Sequence, residues 1–146
     1  MDLTKGYPRS VRDKFAGMVM LGRTTDKGRA HLAGTVGEYH YDCPMDKAVF
    51  GFLGIDANEY LEHIKASKND SEVESYARGF VAKKTQAEID EWNENFLERA
   101  PDAGSDGEKY FLELRAQVAP DRTDVTAWAD LLDLDEKRQV PHRVTA

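Results

Sequence analysis

The sequence predicts an all-α fold, an irregular or orthogonal bundle of seven to eight short helices, and three observations carry that prediction. Apolar residues recur at offsets of three and four through most of the chain, the spacing that lines one face of a helix. Helix punctuation returns at short intervals: Ser, Thr, Asp or Asn before an apolar run, Gly or Pro after it. Sustained alternation with a period of two is absent, and Thr35 to Tyr41 is the one run with enough β-propensity to form a short extended segment, weakened by Gly34 and Gly37. Helices this short and unequal, joined by short loops, do not build a long parallel four-helix bundle.

Gly6-Tyr7-Pro8 opens the chain as a turn or extended lead-in, because proline drives its predecessor out of the helical region. Val11, Phe15, Met18 and Val19 form a stripe that predicts a first helix after Ser10, with Gly22 as its end. Thr24 or Thr25 caps a second through Ala33, broken by Gly34 and Gly37. Pro44 suits the first position of a third, with Met45, Val49, Phe50 and Leu53 on one face and Gly54 at its end.

In Ile55-Asp56-Ala57-Asn58-Glu59-Tyr60, Asp56 caps, Glu59 closes a capping box and Ile55 staples against Tyr60, and the helix runs to about Ser67. Asn69 or Asp70 caps the next, with Val73, Tyr76, Ala77 and Phe80 inward. Thr85-Gln86-Ala87-Glu88 and Ser105-Asp106-Gly107-Glu108 are two further capping boxes, opening helices that stop before Pro101 and Pro120. Asp124 caps a last helix carrying Val125, Trp128, Leu131 and Leu132. Trp92, Phe96, Tyr110, Phe111 and Trp128 are spaced as helix faces, so core packing accounts for them; one left exposed would mark a homo-oligomer contact.

With 146 residues the chain has the size of one domain, 1–146, with an extended lead-in over 1–9 and a frayed tail over 138–146. A charge of −7, from 20 Lys and Arg against 27 Asp and Glu, repels phosphate backbones and anionic headgroups, so neither nucleic acid nor membrane is an expected partner. One cysteine forms no internal disulfide, and the start has neither the basic region nor the apolar run of a secretory signal, which together predict the cytoplasm.

Asp2 to Ser10, Leu21 to Gly34, Gly37-Glu38-Tyr39-His40-Tyr41-Asp42-Cys43-Pro44 and Leu131-Leu132-Asp133-Leu134-Asp135-Glu136 resemble the bacterial family called domain of unknown function 5069. The resemblance spans nearly the whole chain and implies no activity and no catalytic or ligand residues. The chain departs from it at Gly28, where the resembling segment has alanine, at a cost in helix propensity.

Glu38 to Cys43 is the densest collection of reactive side chains. A metal site built from His31, His40, Asp42 and Cys43 matches no standard ligand spacing, so no metal and no cofactor is expected. Cys43 as a nucleophile gains from a position just before Pro44, at a helix N-terminus, and His31 or His40 is the candidate base. Arg23, Asp26, Lys27 and Arg29 are candidate anchors for an anion, and Arg23, Lys27 and His31 recur every fourth residue, presenting donors on one helical face. With Tyr39, Tyr41 and Asp42 folded across them, these donors make a candidate ligand set for a small polar or acidic molecule. The competing reading is internal: core phenols, with Arg23 paired to Glu38 or Asp42. The expectation is a non-catalytic domain that binds a polar or acidic small molecule or a protein partner; the alternative is an enzyme using Cys43 with a histidine.

Overall fold

The computed structural model describes residues 1–143, and residues 144–146, the end of the expected frayed tail, lie outside the described residues. Among the described residues are seven α-helices and no strand: α1 (Leu21–Ala33), α2 (Pro44–Leu53), α3 (Ala57–Ala66), α4 (Asp70–Val81), α5 (Gln86–Leu97), α6 (Asp106–Val118) and α7 (Trp128–Asp135). The backbone groups into two compact units, Met1–Asn93 and Glu94–Ala146. Among the described residues no helix is long and apolar enough to cross a membrane.

In the first unit α1 lies at the centre, packed on α3 and α2, and α4 packs on α3. Leu21 to Gly28 are buried without interruption, so α1 has no solvent face over its first two turns. An aromatic series runs beside it, Tyr41 to Phe50 at 6.1 Å, Phe50 to Tyr60 at 5.2 Å and Tyr60 to Tyr76 at 6.2 Å between ring centroids. Gly28 is where this packing is tightest: a Cβ there would meet Ile64 Cδ1 at 2.7 Å and Tyr41 Cε1 at 3.2 Å. The glycine is therefore a steric fit, and its poor helix propensity is offset by the close approach it allows.

The first predicted helix does not form. Val11, Phe15, Met18 and Val19 are buried, but so are Ala16 and Met20 off their stripe, and the segment is a folded loop. Phe15 and Met18 exchange both backbone hydrogen bonds at 3.0 Å across Ala16 and Gly17, whose φ angles of 56° and 81° have the signs of a type I′ turn. The amides a helix would have used go to distant side chains: Ala16 N–H donates to Glu74 Oε2 at 2.9 Å and Val19 N–H to Asn93 Oδ1 at 3.1 Å. Gly22, expected to end that helix, lies inside α1, which starts at Leu21, ahead of the expected Thr24 or Thr25 cap.

Most other boundaries follow the sequence. Pro44 opens α2, and Gly34 and Gly54, at φ 72° and 77°, end α1 and α2 in the left-handed conformation. Asn69 caps α4 through the Glu72 amide at 3.1 Å, and Thr85 and Glu88 exchange both bonds of a capping box at 3.0 and 3.1 Å. Asp56 accepts from the Glu59 amide at 3.0 Å, and the Glu59 side chain does not return the bond. Thr35 to Tyr41 forms turns and no strand.

In the second unit Phe111, Val125 and Leu131 make the core, with Leu114, Trp128 and Leu134 against it. Tyr110 is 59% exposed over Trp128, outside the core position expected of it. Asp124 does not cap α7, which begins at Trp128; the Arg122 guanidinium takes both its oxygens, at 3.0 and 3.1 Å. In the described part of the tail Val140 is buried, and Arg143 binds Asp130 at 2.9 Å and Glu98 at 2.6 Å.

Asp56→Ala is expected to destabilise the protein by about 1 kcal/mol through loss of the cap. Glu59→Ala, with no reciprocal bond to lose, is expected to leave the urea midpoint nearly unchanged. Equal shifts for the two variants would contradict this account of the start of α3.

Candidate functional site

The segment Tyr39–Cys43 folds back over the face of α1 that carries Arg23, Lys27 and His31. Gly37 permits the reversal: its φ is 60°, and a Cβ would stand 3.1 Å from the Leu3 carbonyl oxygen, against which the chain is pressed. Pro44 then starts α2 at once, so the intervening residues are held over α1. Each of the three donors meets one residue of the stretch. The Arg23 guanidinium lies over the Tyr39 ring at 5.5 Å, Lys27 Nζ donates to Cys43 Sγ at 3.2 Å, and the His31 and Tyr41 rings are 6.0 Å apart.

Two of the three donors face inward, and His31 is exposed. Arg23 and Lys27 are each 3% exposed. Lys27 Nζ pairs with Asp46 Oδ2 at 2.8 Å, both side chains almost fully enclosed. Asp46 also accepts from Thr24 Oγ1 at 2.5 Å and from the Cys43 amide at 3.1 Å. Cys43 is the N-cap of α2, its sulfur taking the Asp46 amide in return, so the pair forms a capping box with a thiol in the usual hydroxyl position. Arg23 Nη1 donates to the Arg9 carbonyl at 3.3 Å. Among the described residues no buried side-chain nitrogen or oxygen is left without a partner.

The thiol is half-buried, and its side-chain partners are Lys27 Nζ and the Asp46 amide, with no imidazole among them. His31 faces Tyr41, and His40 is exposed. Lys27 brings a positive charge to the sulfur, but Asp46 sits on the same ammonium and cancels most of its field. Asp42, at φ 63°, turns outward to an exposed pair with Lys47 at 2.7 Å, and does not reach Arg23. Among the described residues no group of three His, Cys, Asp or Glu side chains comes together in a way that could hold a metal ion.

Tyr41 donates to the Ala57 carbonyl at 2.7 Å, and Tyr60 shares a 2.7 Å hydrogen bond with Thr25. Burial pushes both phenols well above the ordinary tyrosine value of 10.0, because the phenolate would have to lose its water.

Sequence reasoning missed Asp46 and Arg9. Cys-Pro-Met-Asp has capping-box spacing and is legible once cysteine is admitted as a cap. The Arg9–Asp26 pair joins residues 17 apart and carries no local signal.

Lys27→Met is expected to destabilise the protein by about 3–5 kcal/mol, since it leaves the Asp46 carboxylate buried without its counter-charge. Lys27→Met with Asp46→Asn is expected to recover much of that loss in urea denaturation; additive losses would refute the pairing. The folded state holds the Tyr41 and Tyr60 protons more tightly than the unfolded chain, so their contribution is complete below about pH 10 and is lost as pH rises beyond it. The melting temperature is expected to fall above that point, and less steeply in Tyr41→Phe/Tyr60→Phe.

The chain matches the family described as Domain of unknown function (DUF5069) over residues 5–138. No curated protein matches it.

Proposed function

Because the chain belongs to the DUF5069 family, whose description carries no activity, we propose a function from the site alone: a non-catalytic cytoplasmic binding domain. Its contact surface is the outer edge of Tyr39–Cys43 with the end of α1. One observation carries this reading. The cations behind the stretch are buried and bonded inside the protein, so they act as the frame that fixes it, while His31 and His40 face solvent and Tyr39, Tyr41 and Asp42 are half-exposed. What is offered outward is a fixed set of imidazole, phenol and carboxylate groups, suited to hydrogen bonding with a polar small molecule or a protein surface.

The alternative, catalysis by Cys43, is favoured by the 3.2 Å approach of Lys27 Nζ and by the thiol's place at the start of α2. Against it stand the neutralising Asp46 and the lack of an imidazole among the sulfur's bonding partners. A thiol serving as a helix cap gives its acceptor capacity to the backbone and has no base to take its proton.

Thiol kinetics separate the two. The native protein is expected to react with a disulfide reagent at neutral pH no faster than the same chain in denaturant, because burial limits access and no base activates the sulfur. A native rate well above the denatured rate would overturn the non-catalytic reading and favour the nucleophile.

A further inference from the structure

Of the four charged residues of α1, Arg23, Asp26 and Lys27 are buried, and Arg29 alone carries its head to the surface, with 24% of its side chain exposed. It meets Arg9 there. Arg9 is anchored from beneath: its Nε and Nη2 hold the buried Asp26 carboxylate at 3.1 and 2.9 Å, and its guanidinium lies over the Phe15 ring at 5.0 Å. That leaves Nη1 directed away from Asp26. Arg9 Nη1 and Arg29 Nη2 converge on one carboxylate, Asp70, taking one oxygen each at 3.2 and 2.7 Å.

We propose that this two-arginine fork is a binding site for a small soluble oxyanion, a phosphate monoester or a carboxylate, which enters by displacing Asp70. Two cations arranged on the two oxygens of one acid are what such a ligand requires. Asp26 neutralises one of the two arginines, so departure of Asp70 leaves one positive charge unanswered. The occupant is also easily displaced. The Asp70 side chain is 46% exposed, so solvent screens its two ion pairs and weakens its hold on the arginines. Asp70 is the first residue of α4 and not its cap; Asn69 holds the Glu72 amide at 3.1 Å and keeps the helix start when the carboxylate swings out. The Lys27–Asp46 pair, 4% and 0% exposed, offers no comparable exchange.

The test uses the full chain and inorganic phosphate, with sodium chloride at matched ionic strength as control, followed by NMR of the arginine Nε–H and residue 70 amide signals. Saturable shifts are expected, with a Kd on the order of millimolar. Arg29→Gln is expected to weaken binding about ten-fold by removing half of the fork. Arg9 is left in place because it holds the buried Asp26. Asp70→Asn, which removes the charge of the internal competitor and spares the cap, is expected to tighten binding about five-fold. Shifts that do not saturate, that chloride reproduces, or that neither variant changes would mean ionic screening only and would overturn the site.

Discussion

The structure depends on burying a charged helix. Arg23, Thr24, Thr25, Asp26 and Lys27 stand at the centre of the first unit with no more than 3% of any of them exposed. Charges removed from water are tolerated only when each is paired and its remaining hydrogen-bonding capacity is filled, since an uncompensated one costs several kcal/mol. Every element around α1 is placed so as to meet that demand. The lead-in supplies Arg9 to Asp26, α2 supplies Asp46 to Lys27 and Thr24, and α3 supplies the Tyr60 hydroxyl to Thr25.

The same demand places the reactive stretch. Cys43 and Asp46 cap each other at the start of α2, and Lys27 bonds to both, so one ammonium fixes the helix start and the end of the Tyr39–Cys43 segment together. The segment is thereby held over α1 with its outer edge in water. Exposure grades the charges by role. At 3–4% they are structural and inaccessible, as with Lys27; at 24–46%, as in the cluster of Arg9, Arg29 and Asp70, water already competes for each pair and a ligand can do the same.

A second device is the Phe15–Met18 turn. Ala16 and Met20 have φ of 56° and 72°, conformations unfavourable for residues with a Cβ. They are held by long-range bonds: Glu74 and Asn93 side chains accept the turn's amides, and Asn93 Nδ2 donates to the Gly17 carbonyl at 3.0 Å. The buried Asn93, on a helix face read as aromatic, is thus a structural hydrogen-bonding residue.

By itself the sequence determined what depends on neighbours along the chain. The all-α class, the ends of α1 and α2 at Gly34 and Gly54, the proline start of α2, the caps at Asp56, Asn69 and Thr85, and the four-residue spacing that sets Arg23, Lys27 and His31 on one face are all local, because helix hydrogen bonds and caps span only three or four residues. Tertiary structure decided the rest. The stripe Val11, Phe15, Met18 and Val19 has helical spacing, yet partners 58 and 74 residues away took the amides of Ala16 and Val19 in that segment. Asp124 has the look of a cap, yet the amide of Arg143, 19 residues away, shares its carboxylate with the neighbouring Arg122. Whether Lys27 faces a ligand or Asp46 is likewise not written near Lys27. A charge is stabilised by whatever counter-charge the fold brings to it, and only the packing of α2 against α1 made that counter-charge internal.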